Sequence, residues 1–171
     1  MSKAMRWAAG LALLCGAAWA GETFTADQLK AMFSYDLGPA EIDVSSYPKE
    51  QQAAYAVFVR GCSQCHTLAR PINAPLIARK DWKRFIARMH LRTKVRPQAG
   101  ITKEEAGTIA DFLAYDSRRR KVERKAEFEA KSRELESLFE RVKKERARLQ
   151  IEEDRKKARQ APMGAGEKPA P

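Results

Sequence analysis

The chain has 171 residues, with 33 Lys or Arg against 22 Asp or Glu, so its formal net charge is +11 at pH 7. This length allows one small domain with extensions, and the surplus of positive charge favours acidic partners such as proteins, phospholipids or polyanions. No nucleic-acid-binding motif accompanies the charge, and an export signal at the N-terminus also argues against a nucleic-acid partner.

Residues 1–20 have the pattern of a secretory signal peptide. Lys3 and Arg6 precede an apolar run from Trp7 to Trp19, and Ala20 completes a small-x-small cleavage motif. The alternative is a membrane anchor, but a run of about 13 residues is shorter than the roughly 20 that a bilayer-spanning helix needs. We therefore predict cleavage after Ala20 and a periplasmic mature chain of 151 residues.

Residues 21–47 are predicted to form an irregular leader arm. One short helical signal runs from Thr25 to Phe33. The stretch after it, which includes Gly38 and Pro39, is rich in residues that favour turns. We expect this arm to be ordered but to lie outside the helical core.

The first core helix is predicted to begin at Pro48, because proline suits the first turn of a helix. Tyr55, Phe58 and Val59 are spaced i, i+3, i+4 and form an apolar stripe. Gly61 is expected to end this helix. The segment that follows, up to residue 80, contains two prolines and has no apolar period, so it is predicted to be a loop.

A second core helix follows, with Asp81 as its predicted N-cap. Trp82, Phe85, Ile86 and Met89 recur at i, i+3, i+4 and i+7, which is the pattern of one apolar helix face. This face is expected to pack into the core of the domain.

A third helix opens with a capping box formed by Thr102 and Glu105. Neither Gly nor Pro occurs between Gly107 and Pro162, so one continuous helix is predicted from Thr102 to about Arg159. It would be about 87 Å long at about 1.5 Å per residue. Residues 117–160 are its charged extension, and residues 161–171 are predicted to be a disordered tail.

The charged extension has a thin apolar seam. Phe128, Leu135, Val142 and Leu149 are seven residues apart, but most intermediate positions are polar or charged, which falls short of a sustained heptad repeat. Three interpretations stay open: a solvated helix stabilised by ion pairs, a weak coiled-coil dimer, or a docking face for a partner.

Positive charge is concentrated in two parts of the sequence. Residues 60–96 carry a net charge of +9 and residues 117–171 carry +7, whereas residues 22–59 carry −4 and residues 97–116 carry −3. The first basic part surrounds the most distinctive motif in the chain, so an acidic partner is expected to approach that region.

That motif is Cys-Ser-Gln-Cys-His at residues 62–66, which has the Cys-x-x-Cys-His spacing of c-type haem attachment. Two residues between the thiols let both sulfurs reach two vinyl carbons on one porphyrin edge, and the adjacent imidazole can bind the iron. Three alternatives use the same residues. A zinc site would need a fourth ligand such as His90, a redox dithiol would favour a βαβ pattern, and a plain disulfide would leave His66 without a role.

Residues 48–116 resemble a small class I c-type cytochrome. The resemblance rests on the Cys-x-x-Cys-His motif, a proline-containing loop, the helix "WKRFIARM" and a last helix ending "IADFLAY". It implies an all-α, compact monohaem domain followed by the long charged helix. It also implies one covalent haem c on Cys62 and Cys65, with His66 as an iron ligand.

The resemblance has two further implications for packing. The first and last core helices cross in this family, so Tyr55 or Phe58 is expected to pack on Phe112 and its neighbours. In the family the second ring nitrogen of the ligating histidine donates to a proline carbonyl, which here would belong to Pro71 or Pro75.

The sixth iron ligand is predicted from helical phase. At about 100° per residue, Met89 lies at the centre of the apolar face that contains Trp82, whereas His90 lies at its edge. Met89 is therefore the predicted axial ligand and His90 the alternative. Ligation by His66 and Met89 would raise the reduction potential and suit electron transfer.

These observations predict a periplasmic electron-transfer protein rather than an enzyme, with no catalytic residues. Its expected partner is an acidic redox protein. Residues 117–160 are expected to mediate self-association, docking to a larger complex or contact with an anionic membrane surface. The alternative function is a haem-bearing structural or sensory subunit in which this long helix does the work.

Overall fold

The computed structural model describes residues 22–93 and 100–160, and every regular element in these ranges is helical, with no strand. The predicted signal peptide and the predicted tail lie outside the described residues. None of the helices in the described ranges is both long and apolar enough to cross a bilayer. The elements are α1 (Ala26–Leu29), a 3₁₀ helix (Ser34–Leu37), α2 (Lys49–Cys62), α3 (Ala69–Asn73), α4 (Arg79–Thr93), α5 (Lys103–Ser117), a π-helical segment (Arg118–Glu123) and α6 (Lys125–Gln160).

The core forms where α2 packs against α5. The ring centroids of Tyr55 and Phe58 lie 5.3 Å and 5.6 Å from that of Phe112, which confirms the predicted contact between the two helices. Full burial of each large apolar side chain contributes on the order of 2 kcal/mol to stability. Gly61 does not end α2. It lies where a Cβ atom would come within 2.9 Å of the Ile101 side chain, so it allows a close approach instead.

Helix α4 packs on the same core through its predicted apolar face. Trp82 is fully buried and Ile86 is nearly so, whereas Phe85 and Met89 are half-buried. The helix begins at Arg79, so Asp81 lies in its first turn instead of capping it. The capping box predicted for α5 is confirmed, because Thr102 and Glu105 each accept a hydrogen bond from the other's backbone N–H.

The predicted loop after the motif contains a short helix, α3. Four of its five residues are buried, Arg70 being the exception, and Asn73 Nδ2 donates to the carbonyl oxygens of Ala69 at 2.7 Å and Pro39 at 2.9 Å. Pro71 is tolerated because its missing N–H falls in the first turn, where no intrahelical acceptor is needed. No sequence pattern predicted α3, because so short a helix shows no apolar period.

The prediction of one continuous helix from Thr102 to Arg159 was wrong. Helix α5 ends at Ser117, a π-helical turn follows, and Arg124 adopts a non-helical conformation with φ −114° and ψ 43° before α6 begins. Tertiary contacts accompany this break, because buried Asp116 pairs with the half-buried Arg120, which also donates to the Ile72 carbonyl oxygen of α3. Helix propensity alone does not report such contacts.

The leader arm covers the middle of the apolar seam of α6, whereas Leu149 at its far end is exposed. Both α1 and the 3₁₀ helix contact α6, and Leu135 and Val142 are buried beneath them. Arg146 Nη2 donates to the Ala31 carbonyl oxygen at 2.7 Å, and Arg141 pairs with Glu22. The middle of the seam therefore has a partner within its own chain.

Candidate functional site

The three residues of the motif lie at the end of α2 and in the turn after it. Cys62 is the last residue of α2 and packs against the core, whereas Cys65 and His66 are exposed. Both thiols are free. The Cys62 thiol therefore points inward, whereas the Cys65 thiol and the His66 imidazole lie on the surface.

Burial raises the pKa of the Cys62 thiol to about 12, and the nearby Cys65 adds to the effect. The thiol is therefore protonated at neutral pH. A redox dithiol depends on a thiolate, which requires a lowered thiol pKa. Cys62 is consequently not suited to be the attacking thiolate of a redox dithiol.

The His66 ring is oriented by its own backbone neighbour. Its Nδ1 lies 2.7 Å from the carbonyl oxygen of Thr67. The expected acceptors, Pro71 and Pro75, are not the ones used, because the turn after α2 brings the adjacent carbonyl closer. Donation from Nδ1 leaves the lone pair of Nε2 available, and this is the tautomer in which a histidine binds a metal through Nε2.

A cleft of about 480 Å³ adjoins Cys65 and His66. Its other wall is the leader arm, which contributes Lys30, Ala31 and Leu37 among others. A volume of this order lies in the range of small-molecule and cofactor pockets. No sequence pattern indicated that the arm reaches the motif, because the contact joins parts of the chain that are far apart in sequence.

One ion pair fastens the arm to the motif segment. Arg70 donates through Nε and Nη2 to the two carboxylate oxygens of Asp36, each at 2.7 Å. Partial burial of Asp36 opposes its ionisation, but hydrogen bonds from Arg70 and from the backbone N–H groups of Met32 and Phe33 outweigh burial and lower its pKa. Arg70 is thus occupied by Asp36 and is not free to neutralise a bound anion.

The two candidates for the sixth ligand lie on α4. Met89 is half-buried and His90 is exposed. Neither residue lines the cleft beside His66, so the structure does not bring the two predicted axial ligands to one described cavity. Helical phase correctly separated Met89 on the inner side of α4 from His90 on the outer side.

A metal ion bound by side chains alone and a covalent haem need different donor atoms from the protein. Within residues 22–93 and 100–160, no three His, Cys, Asp or Glu side chains converge as ligands for a metal ion. Covalent haem needs two thiols for its vinyl groups and one imidazole for its iron, and Cys62, Cys65 and His66 match that set. Trp82 Nε1 is buried without a hydrogen-bond partner among the described residues, but Trp82 does not line the cleft beside His66. The three residues of the motif nevertheless fit the group.

No protein-family model matches the chain, and none of the curated proteins or solved structures is significantly similar to it.

Proposed function

We propose that this protein is a periplasmic monohaem c-type cytochrome that carries single electrons between redox partners. The observation that carries the proposal is the Cys-x-x-Cys-His motif at the end of a helix, with the His66 ring held so that Nε2 can bind a metal. The signal-peptide pattern of residues 1–20 supports it, because haem c is attached outside the cytoplasm. The all-helical fold agrees with a cytochrome c-like domain and is not specific to one.

Each residue of the site has a separate task in this proposal. Cys62 and Cys65 would hold the group through thioether bonds, and His66 would bind its iron through Nε2, while Thr67 orients the imidazole ring. When bound, haem supplies an iron that gains and loses one electron. Met89 is the proposed sixth ligand, with His90 as the alternative. The leader arm forms one wall of the cleft beside the site, and a bound group that filled the cleft would be shielded from water on that side, which would favour a raised reduction potential.

The outer face of α4 is the proposed docking surface for an acidic redox protein. Lys80, Lys83, Arg84 and Arg88 are exposed and none forms a salt bridge within the described chain. Their spacing places Lys80, Arg84 and Arg88 on the side of α4 opposite Trp82, with Lys83 at the edge of that side. Unpaired cations on one face attract an acidic surface and accelerate encounter at low ionic strength.

The alternative, a haem-bearing structural or sensory subunit, is favoured by one observation. Arg120 and Lys121, which begin the connection to α6, donate hydrogen bonds to backbone carbonyls of the segment between His66 and α4. These hydrogen bonds connect the segment after His66 to the residues that precede α6, so a conformational change at the site would be transmitted to the long helix.

The visible absorption spectrum of the purified, exported protein tests the function. An electron carrier is expected to be low-spin in both oxidation states, to show the weak long-wavelength band of a methionine–iron bond when oxidised, and not to bind CO when reduced. Met89→Ala should convert the spectrum to high spin, whereas the adjacent control His90→Ala should leave it unchanged. The reverse result would identify His90 as the ligand, and CO binding by the unaltered protein would support the sensory alternative instead.

A further inference from the structure

The segment that follows the motif is held by two consecutive basic residues of the π-helical segment. Arg120 Nη2 lies 2.7 Å from its acceptor, and Lys121 Nζ lies 2.7 Å and 3.1 Å from its two acceptors. The acceptors are three backbone carbonyl oxygens of alternate residues, Ile72, Ala74 and Leu76. The π-helical segment thus supplies hydrogen-bond donors to three backbone carbonyl groups of the segment after the motif.

Lys121 is the less expected of the two residues. Its side chain is 4% exposed, and its ammonium lies 5.1 Å from the ring centroid of Trp82 and 5.6 Å from that of Phe128. Within the described ranges this ammonium forms no salt bridge, although Asp116 and Arg120 lie close enough to act on its charge. Lysine is rarely buried unless it is paired, so the hydrogen bonds of Lys121 to Ala74 and Leu76 are what compensates for the burial of its amine.

The contacts of Lys121 fall between the two proposed iron ligands. Ala74 and Leu76 follow His66, and Trp82 lies in the first two turns of α4, whose later turns carry Met89. Lys121 therefore touches both the segment that leaves one ligand and the helix that carries the other. Releasing it would let these two parts move relative to each other.

We propose that Lys121 is a positioning residue, which fixes the segment that follows His66 against α4, the helix that carries Met89. The part of this inference that concerns iron rests on the proposed function. The mechanical part, in which Lys121 holds the segment after His66 against α4, does not depend on any bound group. Lys121 does not touch the metal in this account. It acts through the carbonyls of Ala74 and Leu76 and through the Trp82 ring.

Hydrogen exchange, measured by mass spectrometry, tests the mechanical part without regard to haem. Lys121→Met keeps the length of the side chain and removes its hydrogen bonds, and Lys144→Met makes the same charge change at an exposed position of α6. We expect amide exchange in peptides covering residues 72–82 to rise by about tenfold in Lys121→Met, because two hydrogen bonds to backbone carbonyls are lost. Peptides from α2 should change little, and the control should match the unaltered protein.

The absorption spectrum tests the positioning of the ligands. In Lys121→Met, covalent haem should be retained while the methionine–iron band is lost at a lower denaturant concentration than in the control. Lys121→Gln, which keeps a donor group, should lie between the two. If Lys121→Met fails to fold, Lys121→Gln alone serves for both measurements.

The outcomes separate the two proposals. Exchange and ligand band equal to those of Lys144→Met would overturn the positioning role. Faster exchange spread evenly over all helices would also overturn it, since that indicates only a general loss of stability. Locally faster exchange in a protein that carries no haem would leave the mechanical role of Lys121 intact and contradict the proposed function.

Discussion

The motif and the π-helical connection behind it differ in how the chain secures them. Cys65 and His66 are exposed, and the His66 ring makes one hydrogen bond, to the adjacent residue, within the described structure. Asp116 and Lys121 are buried and hydrogen-bonded to residues more than 40 positions away. The long-range polar contacts thus lie in the connection behind the motif, whereas Cys65 and His66 are open to solvent.

The largest effect is expected from breaking the buried support. Asp116 accepts hydrogen bonds from Tyr47 Oη at 3.0 Å and from Arg120 Nε at 2.7 Å. Asp116→Asn leaves a buried guanidinium without a counter-charge, which should lower the free energy of unfolding by about 3–5 kcal/mol. Urea denaturation measures the loss.

Asp111→Asn is the matched control for that substitution. Asp111 also pairs with an arginine, Arg79, but both side chains are about half exposed. Its removal should lower the free energy of unfolding by less than about 1 kcal/mol. Equal effects of the two substitutions would show that the buried support is no stronger than a surface ion pair.

Lys121 should make stability depend on pH. Burial, reinforced by Arg120, lowers its pKa to about 7, compared with 10.5 ordinarily. The unfolded chain therefore binds more protons than the folded chain between these values, and stability should rise with pH by about 2 kcal/mol from pH 7 to pH 9. Lys121→Met should abolish this rise in urea titrations, whereas Lys144→Met should retain it; a rise of the same size in both variants would assign it to another group.

A smaller effect is expected at the contact between the leader arm and the motif segment. Asp36→Asn weakens the hydrogen bonds from Arg70 and should lower the free energy of unfolding by about 1 kcal/mol, since the pair is only partly buried. Because the pKa of Asp36 is lowered, its contribution is present above the ordinary carboxyl pKa and is lost as pH falls through the lowered value.

Limited proteolysis between residues 22 and 40 should detect the released arm in Asp36→Asn. Asp43→Asn is a suitable control, because Asp43 is exposed and bonds only within its own turn. Cleavage no faster than in the control would mean that the arm is held by apolar contacts with α6 and not by Asp36.

The smallest effect on stability is expected at the motif itself. His66→Ala removes an exposed ring with one local hydrogen bond, so the free energy of unfolding of the haem-free protein should change by less than about 0.5 kcal/mol. Thermal unfolding followed by circular dichroism measures it. A loss as large as that of Asp116→Asn would reverse the comparison between the two regions.

The sequence predicted the local features well and the long-range features poorly. The apolar stripes of α2 and α4 and the capping box of α5 follow from spacing within one helix, and the contact of Tyr55 and Phe58 with Phe112 followed from the family resemblance. The π-helical turn was missed because the propensity of its residues does not report the pairing of Asp116 with Arg120 and the contact with α3 that accompany it.

The candidate site shows the same division between features set by local sequence and features set by long-range contacts. Spacing alone nominates Cys62, Cys65 and His66, because the proposed attachment of haem depends on residues close together in sequence. The cleft wall formed by the leader arm, and the contact of Lys121 with the segment after the motif, join distant parts of the chain. No local pattern in one sequence encodes such contacts.

Intact mass spectrometry of the exported protein, after expression together with machinery that attaches haem c, tests the central claim most directly. The account predicts a mature chain that begins after Ala20 and carries the mass of one covalent haem, and predicts that this mass is lost when Cys62 and Cys65 are both changed to Ser but kept in the control Ser63→Ala. A mature, folded protein with two unmodified thiols under these conditions would contradict it.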